Sequence, residues 1–335
     1  MRKDIFHLEK PDMIKEAALA KPGKSWIIEI FVFYIVTAVA TGLESVPVTF
    51  ATLFHTANNQ EFLDALTAAI STRTSLGEIL SGISDYLSLL PAWITVVSLF
   101  STGIMTVTII MFCRLLQRRG VKTIGFRNEK PWIWEYLKGI LIGFFMMGIV
   151  VLAGILTGTM TVNPGNISWI IILYLIGFMI QGMAEEVLCR GYFLTSFARK
   201  NNLWAAVIVN SLFFSLLHFA NPGYNILAAA NLTLCGIAFS VYVIRTGNIW
   251  GACGMHTMWN FAQGNIFGLS VSGTVTAPAF MSVTFNDGFS LWNGGGFGVE
   301  SGLFYLILQL IFIGIFLIVP IAGRERSSNT ATISI

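Results

Sequence analysis

Ser168–Phe197 reads SWIIILYLIGFMIQGMAEEVLCRGYFLTSF, and this stretch decides the fold of the chain. It is mostly apolar and longer than the roughly 20 residues that a helix needs to cross a bilayer. Its charged residues, Glu185, Glu186 and Arg190, stand together past its middle. Ionisable groups are costly inside a membrane, so they usually pair with one another or mark a functional site. The stretch therefore predicts a membrane helix that carries an ion pair, a reactive group or both.

The composition extends this prediction to the whole chain. Of its 335 residues, 55% are hydrophobic and only 11% are charged, and the mean hydropathy is +0.74. A soluble domain carries about 25% charged residues, so we expect one polytopic membrane domain of the all-α class. The net charge of +3 is too small to indicate a nucleic-acid partner. Residues 1–24 mix acids and bases and do not resemble a signal peptide.

Apolar runs and charge placement define the expected topology. Only Arg73 among the Lys and Arg residues falls in an expected outer loop, as the positive-inside rule predicts when both termini are cytoplasmic. We expect a cytoplasmic segment at 1–25, a transmembrane domain at 26–322 and a cytoplasmic tail at 323–335. Residues 59–90 of the first outer loop (47–89) have helical spacing, and the Gly-rich last loop (269–302) is expected to be irregular or re-entrant. The eight predicted spans are Trp26–Val46, Leu90–Leu115, Leu137–Thr157, Ser168–Phe197, Leu203–Phe219, Ile226–Ile244, Ile249–Phe267 and Leu303–Ala322.

The four cysteines fall in these apolar runs and lack the spacing of a metal site. They are Cys113, Cys189, Cys235 and Cys253. We expect them to be small buried side chains rather than disulfide partners.

Spacing predicts that Glu185 and His218 lie at the same depth. The fourth and fifth spans form a helical hairpin that turns near residues 200–202. At 1.5 Å per residue, both side chains lie about 22–26 Å from this turn. They can therefore face each other, and a carboxylate in such a low-dielectric cavity can act as a general base near neutral pH.

The remaining polar residues of the membrane spans allow structural and functional interpretations. Glu186 and Arg190 are four residues apart, so they share a helix face and can form a buried ion pair. Glu185 projects about 100° away from Glu186 and has a different environment. His218 alone, or His256 with Asn260, could simply join helices through hydrogen bonds. Their concentration in the fourth, fifth and seventh spans favours a common site.

Three short motifs in these spans resemble a known family. Glu185-Glu186-Val187-Leu188-Cys189-Arg190 fits Glu-Glu-x-x-x-Arg, Phe214–His218 fits Phe-x-x-x-His, and His256–Asn260 fits His-x-x-x-Asn. In this order, they resemble the CPBP (CAAX protease and bacteriocin-processing, or Abi) family of intramembrane endopeptidases. The resemblance covers roughly residues 168–265, which would be the protease core.

The resemblance implies a multi-pass peptidase of the cell membrane. Its substrate partners would be peptides or proteins at the lipid bilayer, including prenylated, CAAX-like ones. Glu185 would activate water with help from His218, and His256 and Asn260 would stabilise the oxyanion. Glu186 and Arg190 would brace the fourth span, and Phe214 would pack beside His218. We favour a mechanism without a cofactor or metal, although Glu with two His could also bind zinc.

Two other classes of protein remain open at this stage. The chain could be a non-catalytic scaffold or bacteriocin-immunity protein that keeps its polar residues for packing. A proton-coupled transporter is a third interpretation, but no internal repeat of the kind that builds many transporters is evident. Replacing Glu185 would separate an enzyme from a scaffold.

Overall fold

The protein is an all-α helical bundle with one small sheet. A computed structural model describes residues 8–60, 63–64, 67, 90–129 and 131–319. The helices in this part of the chain are α1 (Asp12–Ala20), α2 (Trp26–Ala57), α3 (Ala92–Leu115), α4 (Trp132–Leu156), α5 (Ile170–Glu186), α6 (Leu203–Leu216), α7 (Ile226–Thr246), α8 (Trp250–Phe261) and α9 (Leu303–Ile318). α5 runs on through a π-helical segment, Val187–Leu194, and a final turn, Thr195–Ala198, while α8 runs on through a π-helical segment, Ala262–Ile266.

The helices confirm that this is a membrane protein of the polytopic helical class. A helix occupies each of the eight predicted positions, and five are long and apolar enough to cross a membrane: α2, α3, α4, the extended α5 and α7. α6 and α9 are apolar but have 14 and 16 residues, respectively. A lipid-facing surface has to be apolar, and α2 has such a surface, since Phe31, Phe50 and Phe54 are between 64% and 70% exposed. The placement of both termini in the cytoplasm stays a prediction.

The boundaries of three predicted spans are wrong. α4 begins at Trp132, directly after Pro131, rather than at Leu137. α2 continues past Val46 to Ala57, because Pro47 does not break it; prolines within membrane helices are tolerated when other groups satisfy the freed backbone. α6 ends at Leu216 rather than Phe219, because the sequence Asn221-Pro222-Gly223 follows and favours a turn. Most of the helix expected at 59–90, and the end of the last span beyond residue 319, lie outside the described residues.

A two-stranded antiparallel sheet joins the α4–α5 connection to the last loop. β1 (Met160–Pro164) pairs with β2 (Met281–Phe285), and the register runs from Met160↔Phe285 to Pro164↔Met281. The expected irregular loop at 269–302 therefore contains a strand as well as short helical turns at Ser290–Asn293, Gly295–Phe297 and Val299–Ser301. Five-residue strands carry too little alternation to stand out in an apolar sequence.

α8 is the central helix of the bundle and packs closely between α4 and α5. A Cβ at Gly143 of α4 would collide with the backbone oxygen of Met255 on α8. On the other side, a Cβ at Gly182 of α5 would lie 2.9 Å from the backbone nitrogen of Thr257. The Thr257 hydroxyl also donates to the Phe178 carbonyl oxygen of α5 (3.2 Å). Small residues thus let three backbones approach, as in other membrane helix interfaces.

All four cysteines are buried and free, which confirms their predicted character.

Candidate active site

The predicted site residues converge on one cavity inside the bundle. The cavity has a volume of about 260 Å³, and its lining includes Glu185 of α5, His256 and Asn260 of α8, and Phe214 and His218 from α6 and its following turn. The predicted proximity of Glu185 and His218 is confirmed, because His218 Nε2 lies 4.0 Å from Glu185 Oε2. His218 reaches this depth from the turn that ends α6, not from the helix itself.

Glu186 and Arg190 form a buried ion pair behind the cavity wall. Arg190 Nη1 lies 2.8 Å from Glu186 Oε1, and both side chains are completely buried. The pair joins the last residue of α5 to the π-helical segment that follows it. The Arg190 guanidinium also lies over the Phe214 ring, 4.4 Å from its centroid, and 5.3 Å from that of Phe239. The predicted structural pair is therefore present, and cation–π contacts hold it.

Glu186 also orients His256. The same oxygen, Glu186 Oε1, lies 2.9 Å from His256 Nδ1. A carboxylate accepts this bond, so Nδ1 carries a proton. His256 Nε2 then faces the cavity, 3.7 Å from Glu185 Oε2. The two neighbouring glutamates thus contact opposite nitrogens of one imidazole ring.

The carbonyl oxygen of Phe214 orients His218 in the same way. His218 Nδ1 lies 2.9 Å from this oxygen, which can only accept a hydrogen bond. His218 therefore presents Nε2 to Glu185, while its ring packs against the Phe214 ring at 5.1 Å between centroids. Both histidines accordingly direct Nε2 toward the same oxygen, Glu185 Oε2.

Asn260 contacts Glu185 through a residue that the sequence analysis missed. Asn260 Nδ2 donates to Gln181 Oε1 (2.9 Å), and Gln181 Nε2 donates to Glu185 Oε1. Gln181 lies one helical turn before Glu185 on the same face of α5. Its polarity within the apolar run was the available signal, since an isolated amide in a membrane helix usually needs a partner.

Two further carboxylates line the cavity and were also missed. Glu44 lies in α2, which the sequence predicted only as a membrane span, and it lines the cavity. Its Oε2 is buried and has no hydrogen-bond partner among the described residues. Glu300 lies in the last loop, outside the three motifs. Its carboxylate accepts bonds from Trp259 Nε1, Gln263 Nε2, and the backbone and hydroxyl of Ser272. Glu300 thereby ties the loop above the cavity to α8 and its π-helical extension.

The donor set can be compared with that of a zinc site. Glu185, His218 and His256 fit zinc in ligand type, and ligand atoms at about 2.0–2.2 Å from the metal lie roughly 3.3 Å apart in a tetrahedral site. The measured separations from Glu185 Oε2 are wider, at 3.7 and 4.0 Å. Within the part of the chain that the structure describes, no group of three or more His, Cys, Asp or Glu residues could hold a metal ion in the present geometry.

The fold and the site together define a polytopic helical membrane protein with a buried Glu/His/His/Asn cluster. Residues 166–262 match the family described as "Type II CAAX prenyl endopeptidase Rce1-like". This part of the chain is therefore similar to that family, and the predicted resemblance to CPBP proteins is confirmed over these residues. The match contains all three sequence motifs and ends two residues after Asn260.

A curated relative extends the similarity beyond the matched family region. The chain is 32% identical over 165 residues to "Uncharacterized protein YyaK" of Bacillus subtilis (strain 168), across 46% of this chain and 49% of the relative. The chain thus spans about half the length of the curated relative that it matches. No solved structure matches the chain.

Proposed function

We propose that this protein is an intramembrane endopeptidase of the cell membrane that hydrolyses peptide bonds with a water activated by Glu185. Its substrates would be membrane-associated proteins or peptides, including prenylated ones with a CAAX-like end. The observation that carries the proposal is the arrangement of His218 Nε2 and His256 Nε2 around one oxygen, Glu185 Oε2, at 4.0 and 3.7 Å.

These separations suit a shared water better than direct hydrogen bonds. A water molecule between these groups can lie within hydrogen-bond distance of Glu185 Oε2 and of an imidazole Nε2 atom. Glu185 would take a proton from this water as the water oxygen attacks the substrate carbonyl carbon. When His218 is neutral, its Nε2 carries no proton. It can therefore accept a hydrogen bond from the second proton of the water. Glu185 would then deliver the captured proton to the leaving nitrogen, which completes the hydrolysis.

His256 and Asn260 would stabilise the oxyanion of the tetrahedral intermediate. His256 donates from Nδ1 to Glu186, so donation from Nε2 as well requires the doubly protonated ring. Asn260 has two N–H groups and uses one for Gln181, which leaves the other for the oxyanion. Preorganised donors of this kind contribute about 3–4 kcal/mol each to transition-state stabilisation.

The proposal is tested with Glu185→Gln, which removes the base and keeps the side-chain shape. Purified protein is incubated in detergent micelles with a fluorogenic farnesylated peptide ending in Cys-aliphatic-aliphatic-Met and with the same peptide lacking the lipid. In parallel, membrane-associated peptides of cells carrying either form are compared by mass spectrometry. Cleavage by the native protein and its loss in a folded Glu185→Gln variant are the expected results. Glu129→Gln, which changes a half-exposed carboxylate away from the cavity, serves as the matched control.

Two other outcomes would replace this mechanism. Loss of cleavage with a strong zinc chelator, restored by added zinc, would establish a zinc-dependent version of the same peptidase. Identical peptide profiles for the native protein and Glu185→Gln, with any immunity phenotype intact, would instead support a non-catalytic scaffold or immunity protein.

A further inference from the structure

Among the described residues, Gln181 provides the only hydrogen-bonded link between Glu185 and Asn260. Glu185 is the proposed base, and Asn260 is a proposed oxyanion donor. It is partly buried on α5 and lines the cavity. Its amide donates to Glu185 Oε1 and accepts from Asn260 Nδ2 at 2.9 Å. It lies outside the Glu-Glu-x-x-x-Arg, Phe-x-x-x-His and His-x-x-x-Asn motifs.

These two hydrogen bonds can have only one donor-to-acceptor direction. An ionised carboxylate has no hydrogen to donate, so Gln181 must turn its NH₂ group toward Glu185. Its oxygen then faces Asn260, which must turn its own NH₂ group toward Gln181. The charge on Glu185 thus determines, through Gln181, which end of the Asn260 amide carries the donors. Without Gln181, the Asn260 amide could rotate by 180° and present an acceptor, which would repel an oxyanion.

The same bonds divide the two oxygens of Glu185. Oε1 accepts from Gln181, whereas Oε2 lies within 4.0 Å of both imidazole Nε2 atoms. Holding Oε1 prevents rotation of the carboxylate and keeps Oε2 toward the place where the water would be activated. Orientation of this kind matters because a displacement of about 1 Å can cost roughly 100-fold in rate.

We infer that Gln181 is a positioning residue that sets the amide orientation of Asn260 and keeps Glu185 Oε2 directed toward the histidines. The inference rests on the proposed peptidase function for its kinetic consequence, but the orientation of Asn260 can be measured without any substrate. The competing explanation is that Gln181 only joins α5 to α8. Thr257 makes another hydrogen bond between these helices, to the Phe178 carbonyl oxygen, and does not line the cavity.

Gln181→Met is the informative variant, because it keeps a similar length and removes both hydrogen bonds. With the farnesylated peptide, we expect kcat to fall about 10- to 100-fold while KM changes little. If Gln181 acts partly through Asn260, its loss should cost less activity once Asn260 is gone. The double variant with Asn260→Ala should therefore lose less activity than the product of the two single losses, and the remaining effect of Gln181→Met reports the bond to Glu185. Thr257→Val is the matched control and should lower thermal stability without the fall in kcat.

A second measurement is independent of catalysis. In protein labelled with ¹⁵N at asparagine side chains, the Asn260 NH₂ resonances are identified by their loss in Asn260→Ala. We expect them to shift or broaden in Gln181→Met and to stay in place in Thr257→Val. Unchanged Asn260 resonances, or a kcat within twofold of the native value in folded Gln181→Met, would overturn the inference. Cleavage absent from the native protein, with Asn260 still responding to Gln181→Met, would overturn the peptidase function and leave the positioning role.

Discussion

Replacing Arg190 with Gln should destabilise the protein severely, because it leaves a buried carboxylate without its charge partner. The Arg190–Glu186 pair is completely buried and joined at 2.8 Å. After the substitution, Glu186 Oε1 keeps only the bond from His256 Nδ1. The guanidinium contacts with Phe214 and Phe239 are lost as well.

The magnitude follows from the burial of both charges. Removing one partner of a buried ion pair costs about 3–5 kcal/mol, and 4 kcal/mol lowers the folding equilibrium constant by roughly 1,000-fold. The pair is also incompletely satisfied, since Arg190 Nε and Nη2 and Glu186 Oε2 have no hydrogen-bond partner among the described residues. Removing both charges with Glu186→Gln and Arg190→Met should therefore cost less than Arg190→Gln alone.

The assay is reversible unfolding in mixed dodecylmaltoside–SDS micelles, followed by circular dichroism. Lys15→Gln is the control, because Lys15 and Asp12 form an exposed pair on α1, with side chains 61% and 68% exposed. Such pairs contribute about 0–1 kcal/mol. A cost below about 1 kcal/mol for Arg190→Gln would refute the reasoning, as would a double variant less stable than the single one.

Three further predictions address packing, catalysis and the loop above the cavity. Gly143→Ala should lower the midpoint of thermal unfolding because its Cβ would strike α8, whereas Gly148→Ala on the same helix meets no atom within 4 Å and should not; equal midpoints would argue against close α4–α8 packing. Asn260→Ala should lower kcat on the farnesylated peptide about 100- to 1,000-fold with the fold intact, and near-native kcat would remove Asn260 from the oxyanion site. Glu300→Ala should leave Ser272 without its carboxylate acceptor and speed limited proteolysis of the last loop; native protection there would show that Glu300 does not hold the loop.

The helical bundle could be predicted from the sequence because lipid imposes strict rules on a spanning segment. Backbone groups must be satisfied within the segment, so long apolar runs become helices. The same rules do not set where a helix stops outside the hydrocarbon region. The ends of α2 and α6, and the pairing of β1 with β2, depend on local turn sequence and on contacts between distant segments.

The sequence by itself determined the membrane class, the positions of the helices and most of the polar cluster. Regular helical rise placed Glu185 opposite His218, and the four-residue spacing placed Arg190 beside Glu186. Only the tertiary structure decided that both histidines face one oxygen of Glu185, that Gln181 connects this carboxylate to Asn260, and that Glu44 and Glu300 reach the same cavity. Helix periodicity specifies the depth and face of a residue within its own helix, whereas contacts between helices depend on how far the small residues of α4, α5 and α8 let their backbones approach.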